Sequence, residues 1–189
     1  MRSRLLLPLL LALAGCADEA PGTGAGEPAA PGTLLGIDAS GVGALSAETP
    51  FSPEAVRAAL PEGFEIETGR IETERDTVPV LYAFSDGQII LEVFPDRTRD
   101  RVGRIDAASA LVAGPQGARP GDGFSDVGGG GMDCQPGTEE LAGRAVCRAS
   151  GGGPVRYVFA HGADTPRGAL PERDVLAQSI LERIVWERR

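Results

Sequence analysis

The chain has 189 residues, with 27 acidic against 18 basic side chains, a net charge of −9 and 42% hydrophobic residues. That balance argues against nucleic acid and against electrostatic adsorption to anionic lipid, both of which need a basic face. All 18 basic residues are arginine, which removes a P-loop lysine, a Schiff-base lysine and a Ser-Lys dyad from consideration.

Arg2 and Arg4 precede an apolar run from Leu5 to Ala14, too short to span a bilayer as a mature helix, which reads as a signal peptide over residues 1–15. The run ends in Leu13-Ala14-Gly15-Cys16, which resembles the lipobox of bacterial lipoproteins, where small residues before the cysteine admit a dedicated peptidase. An ordinary secretory peptide is the alternative. Cleavage there removes two arginines and no acid, leaving a still more acidic chain with an acylated Cys16. Each buried methylene contributes about 0.8 kcal/mol, so several acyl chains hold a protein stably where one would not. Asp18 follows Cys16 by two places rather than one, which favours the outer membrane over inner-membrane retention. No later segment reaches about 18 consecutive apolar residues, so the rest is expected on one side, facing the periplasm.

Residues 16–33 supply the lipidated cysteine and a tether of Ala, Gly, Pro and Glu without a large apolar side chain, with a mean reach of about 20–25 Å. One globular domain is expected over residues 34–189. Ser52-Pro53-Glu54 carries helix-start chemistry, with Phe51 placed to staple against Val56 and Pro61 as a stop. Phe64, Ile66 and Thr68 alternate with Glu65 and Glu67 as in a strand, and Val78 to Phe84 reads as the next. Asp86-Gly87 predicts a tight hairpin turn into Ile89 to Phe94. Val102 to Val112 reads as one strand, Gly114 to Gly131 as a loop with a short turn near Phe124, and Val155 to Ala160 as a further strand. Leu170-Pro171-Glu172 starts a short helix to about Ala177. Ile180 to Trp186 fits a helical face and a strand face alike; it is assigned to a strand. The fold class is therefore α+β, mainly antiparallel sheet with two short helices.

With Cys16 given to lipid, Cys134 and Cys147 remain as a pair, expected as a disulfide in an oxidising compartment. In the chain-entropy model the closure contributes about 3 kcal/mol. A metal site lacks further ligands, because the spacing is not CxxC and His161 is the one histidine. Arg97, Arg99, Arg101 and Arg104 crowd the turn after Phe94 and could meet a phosphate or carboxylate; the alternative is a solvated turn balanced by Asp96 and Asp100. His161 with Ser125 and Asp164 could be imagined as a triad, but no GxSxG elbow is present and a surface histidine is the plainer reading. Asp122, Asp126 and Asp133 do not match a calcium loop. Phe64, Tyr82, Phe84, Tyr157, Phe159 and Trp186 read as core rather than as a sugar platform.

Gly41-Val42-Gly43-Ala44-Leu45, Thr49-Pro50-Phe51, Leu60-Pro61, Leu91-Glu92-Val93, Gly103-Arg104-Ile105 and Gly121-Asp122-Gly123-Phe124-Ser125 occur in order along the first part of the domain. Cys134, Glu139-Glu140, Gly143, Cys147, Tyr157-Val158-Phe159, Leu170-Pro171, Asp174-Val175-Leu176 and Ile184-Val185-Trp186 continue the series. Together they resemble the RpoE-regulated lipoprotein family of Gram-negative bacteria, a domain-of-unknown-function family. The resemblance implies an outer-membrane lipoprotein tied to the envelope stress response, and it brings Cys16 and the Cys134–Cys147 pair as its only transferable positions. The expectation is thus a non-enzymatic envelope lipoprotein with no cofactor that binds another envelope component; a periplasm-facing small-ligand or glycan binder is the alternative.

Overall fold

The computed structural model describes residues 35–73, 76–151, 153–162, 165–166 and 168–188. The signal segment, Cys16, the tether and Asp164 lie outside the described residues. Three short strands open the domain: β1 (Leu35–Gly36), β2 (Gly41–Val42) and β3 (Leu45–Ser46). Helix α1 (Pro53–Ala58) follows, with Pro53 in its first turn and the Ser52 hydroxyl accepting from the Ala55 amide at 3.2 Å. The chain then lays down β4 (Glu65–Glu72), β5 (Thr77–Ser85), β6 (Gln88–Pro95), β7 (Val102–Ala107) and β8 (Val112–Ala113). Last come β9 (Cys134–Pro136), β10 (Ala145–Arg148), β11 (Val155–Ala160), helix α2 (Arg173–Ala177) and β12 (Ile180–Glu187).

Eight strands form one antiparallel sheet in the order β4-β5-β6-β7-β12-β11-β10-β9. The α+β class with two short helices is therefore the observed one. At the β5–β6 turn Asp86 and Gly87 both take positive φ, 50° and 73°, the backbone that a two-residue hairpin of this twist requires. The expected single strand from Val102 to Val112 is instead two. Ser109 turns the chain after β7, its hydroxyl and carbonyl taking the Leu111 and Val112 amides at 3.2 and 3.0 Å. β8 then pairs in parallel with β1, away from the large sheet.

Successive side chains leave a strand on opposite faces, and the register shows which face is dry. Leu81, Val93, Ile105, Trp186 and Val155 stand in one row across five strands, all at most 3% exposed. Over them pack Leu35, Ile37, Val42, Leu45, Val56, Leu60 and Phe124 from β1–β3, α1 and the loop before β9. Trp186 and Tyr157 meet their polar requirements within this core, donating to the carbonyls of Ala39 at 3.3 Å and Pro115 at 2.8 Å. Between β11 and β12 the register shifts at Glu182, so Val158 faces Arg183 while Phe159 faces Leu181. The bulge lets Leu181, Ile184 and Trp186 all enter the core.

Candidate binding groove on the second face of the sheet

The face opposite the core begins with the row Tyr82, Glu92, Asp106, Val185 and Arg156. Arg104 and Asp106 are two apart on β7 and so share this face. Their side chains meet in a fork, Nε donating to Oδ1 and Nη2 to Oδ2, both at 2.6 Å. Asp106 is 2% exposed; an isolated charge there would be strongly disfavoured. Arg183 of the neighbouring β12 adds a second cation, its Nη1 donating to Asp106 Oδ2 at 3.3 Å and lying 3.9 Å from Glu92 Oε2. Glu140, on the loop after β9, closes onto Arg104, and Arg144 onto Glu182. The Arg104 guanidinium also sits 5.0 Å from the Phe94 ring centroid, within cation–π range.

These contacts set the charge states. Burial pushes the Glu92 carboxyl above its ordinary value, and Asp106 beside it adds to the shift. Burial acts the same way on Glu140 and Glu182 and is the largest single influence, but the bond and charge of Arg104, with Arg183 and a backbone bond, together outweigh it at Glu140, and Arg144 with Arg183 at Glu182, so both carboxyls lie below the usual range. Arg104 loses solvation too, yet Asp106 and Glu140 more than compensate, so its charge is secured. The Arg183 Nε is buried with no hydrogen-bond partner.

Beside this network opens a groove of about 780 Å³, within the size range of small-ligand sites. One wall is apolar, made of Ile71, Val78, Phe94 and Pro95; the other is ionic, made of Arg104, Glu140, Arg183 and Glu187. Asp96, Arg97, Gly103 and Arg188 line it as well. Gly103 is required where it is, since a Cβ would fall 2.6 Å from the Asp96 Cα. A smaller cavity of about 170 Å³ shares Arg104, Glu139, Glu140 and Glu187 with the groove.

The four arginines named from the sequence part company. Arg97 and Arg104 line the groove. Arg99 turns to Asp76 at 2.7 Å, and Arg101 to Glu48, bonding its carbonyl at 2.6 Å and its carboxylate at 3.3 Å. Asp96 organises their turn, Oδ1 accepting from Thr98 Oγ1 at 2.8 Å and from the Thr98 and Asp100 amides at 3.1 and 3.3 Å. Cys134 and Cys147 are disulfide-bonded and face each other directly across β9 and β10. Ser125 donates to the Ala177 carbonyl at 3.3 Å and His161 Nδ1 lies 3.5 Å from Thr165 Oγ1, so neither is seen bonded to the other. Asp122 and Asp126 cap their own turns, accepting from the Arg119 and Gly123 amides, and Asp133 pairs with Arg148. Among the described residues no three His, Cys, Asp or Glu side chains gather in an arrangement that could hold a metal, and no helix is long and apolar enough to cross a membrane. Phe64, Tyr157, Phe159 and Trp186 are buried, whereas Tyr82 and Phe84 are half-buried on the second face. Glu92, Asp106 and Arg183 escaped sequence reasoning; the signal available was a charged residue set between apolar neighbours, as in Leu91-Glu92-Val93 and Ile105-Asp106-Ala107.

Comparison with known proteins adds a family and a fold. Residues 31–188 match the family described as "Protein of unknown function (DUF1131)". The uncharacterized protein YfeY of Escherichia coli (strain K12) is 23% identical over 158 residues, spanning 83% of this chain and 82% of its own. The crystal structure of Escherichia coli yfeY superposes with a TM-score of 0.65 at 24% identity, covering 80% of this chain and 99% of that one.

Proposed function

The chain belongs to the DUF1131 family of proteins of unknown function, and for it we propose the role of a non-enzymatic binding module of the bacterial envelope. In this reading a lipid on Cys16 holds it to the outer membrane, the domain faces the periplasm, and its groove takes up another envelope component in the service of envelope stress or upkeep. The groove is the observation that carries the proposal. It pairs an apolar wall with an ionic one, as small-ligand sites commonly do. Among the described residues that line it, Arg104 and Arg183 are held in ion pairs with Asp106, Glu140 and Glu182. The address rests on the lipobox, on the resemblance to the RpoE-regulated lipoproteins, and on the Cys134–Cys147 disulfide, which suits an oxidising compartment.

Two measurements test the two halves. Membrane fractionation of the full chain beside Cys16→Ser should show the wild type in the outer membrane and the variant released; a variant that stays membrane-bound contradicts the anchor. Amide chemical shifts of the domain, recorded against lipid and peptidoglycan extracts of the envelope, should move around Phe94, Arg104 and Arg183. Shifts confined to other surfaces, or absent with every extract, contradict the groove.

A further inference from the structure

Within the proposed binding groove, and resting on that reading, the charges are unevenly satisfied. Arg104 is held by Asp106 and Glu140, and Arg183 by Asp106, Glu182 and the more distant Glu92. Arg97 and Arg188 also line the groove, are exposed, and have no carboxylate partner among the described residues; Arg188 gives one long bond, 3.4 Å, to the Ala47 carbonyl. They neighbour each other through the fold, since the Arg188 amide bonds Gly103, whose Cα is packed against Asp96, the residue before Arg97. The groove thus carries at one end two exposed arginines outside any ion pair among the described residues, with Asp96 and Glu139 also in its lining, beside an aliphatic wall.

We propose that the groove takes a single-chain anionic phospholipid, its phosphate between Arg97 and Arg188 and its acyl chain along Ile71, Val78 and Phe94. Guanidinium groups pair with phosphate oxygens in a fork geometry. The volume, about 780 Å³, suits one chain with its head. Phe94 is the aromatic ring among the described residues that line the groove, and Arg104 covers one of its faces, which leaves little for sugar stacking.

Calorimetry on the full lipidated chain, with ligands below their micelle concentrations, tests the assignment. The probes are lauroyl lysophosphatidylglycerol, laurate, dodecyl maltoside and glycerol phosphate. The lysophospholipid should bind at least about tenfold more tightly than either of the other two chains, and glycerol phosphate alone should give no heat. Arg97→Glu with Arg188→Glu, both at exposed positions, should weaken the lysophospholipid at least about tenfold while leaving dodecyl maltoside unchanged; Ile71→Asp should weaken every chain. Equal binding of the maltoside, or unchanged affinity in the double arginine variant, overturns the head-group assignment while the groove stands. Laurate as tight as the lysophospholipid overturns the phosphate. Chemical shifts in the groove with an envelope peptide, and none with any lipid, overturn the ligand class, whereas no shift there with any extract brings down the groove itself.

Discussion

Asp106 is the residue on which the ionic wall depends. At 2% exposure it neutralises Arg104 through two bonds and Arg183 through a third, so removing it takes from both cations their most deeply buried partner and leaves them only the more exposed Glu140, Glu182 and Glu92. Asp106→Ala should cost about 3–5 kcal/mol, read as a lower denaturant midpoint; a loss under about 1 kcal/mol would show that water already screens the pair. Glu92 behaves in the opposite sense. Burial raises its carboxyl above the ordinary 4.5, so the folded state holds this proton more tightly than the unfolded chain does. Its stabilising contribution is full below pH 4.5 and is lost as the pH rises through the raised value. Glu140 and Glu182, held low by Arg104 and Arg144 against the pull of burial, contribute above 4.5 and lose that contribution as the pH falls through their lowered values. Glu92→Gln should therefore stabilise the domain at neutral pH and gain nothing well below 4.5. The same increment at both ends of a pH series of urea melts would contradict the assignment.

At the scale of elements, the sequence is most legible where structure is local. Ser52 and Pro53 announce α1 because a cap and a fixed φ act within one turn, and Asp86-Gly87 announces the β5–β6 hairpin because few residues accept its backbone. The segment Ile180 to Trp186 reads both ways because Ile180 and Ile184 fit either period; in β12 the bulge at Glu182 breaks the period of two, so Leu181, Ile184 and Trp186 face the core while Ile180 is 47% exposed. The arginine cluster was legible as composition but not as a site, since a turn around Asp96 sends Arg99 and Arg101 away from Arg104. Cys134 and Cys147 were readable as a pair, and their strands place them opposite each other at the far edge of the sheet from β4. Replacing both with serine should lower stability by about 3 kcal/mol in the chain-entropy model, measured by denaturant melts, and leave ligand affinity in the groove unchanged. A collapse of affinity in a still-folded double variant would tie the bridge to the site.

For the whole molecule, the organising fact is that one sheet has two differently used faces. The dry face is spent on β1–β3, α1 and the long loop before β9. The other brings together β6, β7, β12 and the Glu139–Glu140 loop, far apart in sequence, into a groove. That assembly is the part no linear pattern foretells, because each strand contributes one or two charged residues to it and nothing in their spacing refers to the others. An anchor on Cys16 followed by a short tether would set such a groove within reach of the membrane surface, where single-chain lipids arise. The most direct test of the groove as the binding site is native mass spectrometry of the full chain isolated from its own membranes, beside Ile71→Asp isolated in the same way. The account predicts an added small-molecule mass on the wild type that is lost from the variant while its unfolding midpoint holds. The same bound mass on both proteins, or no bound mass on either, would contradict it.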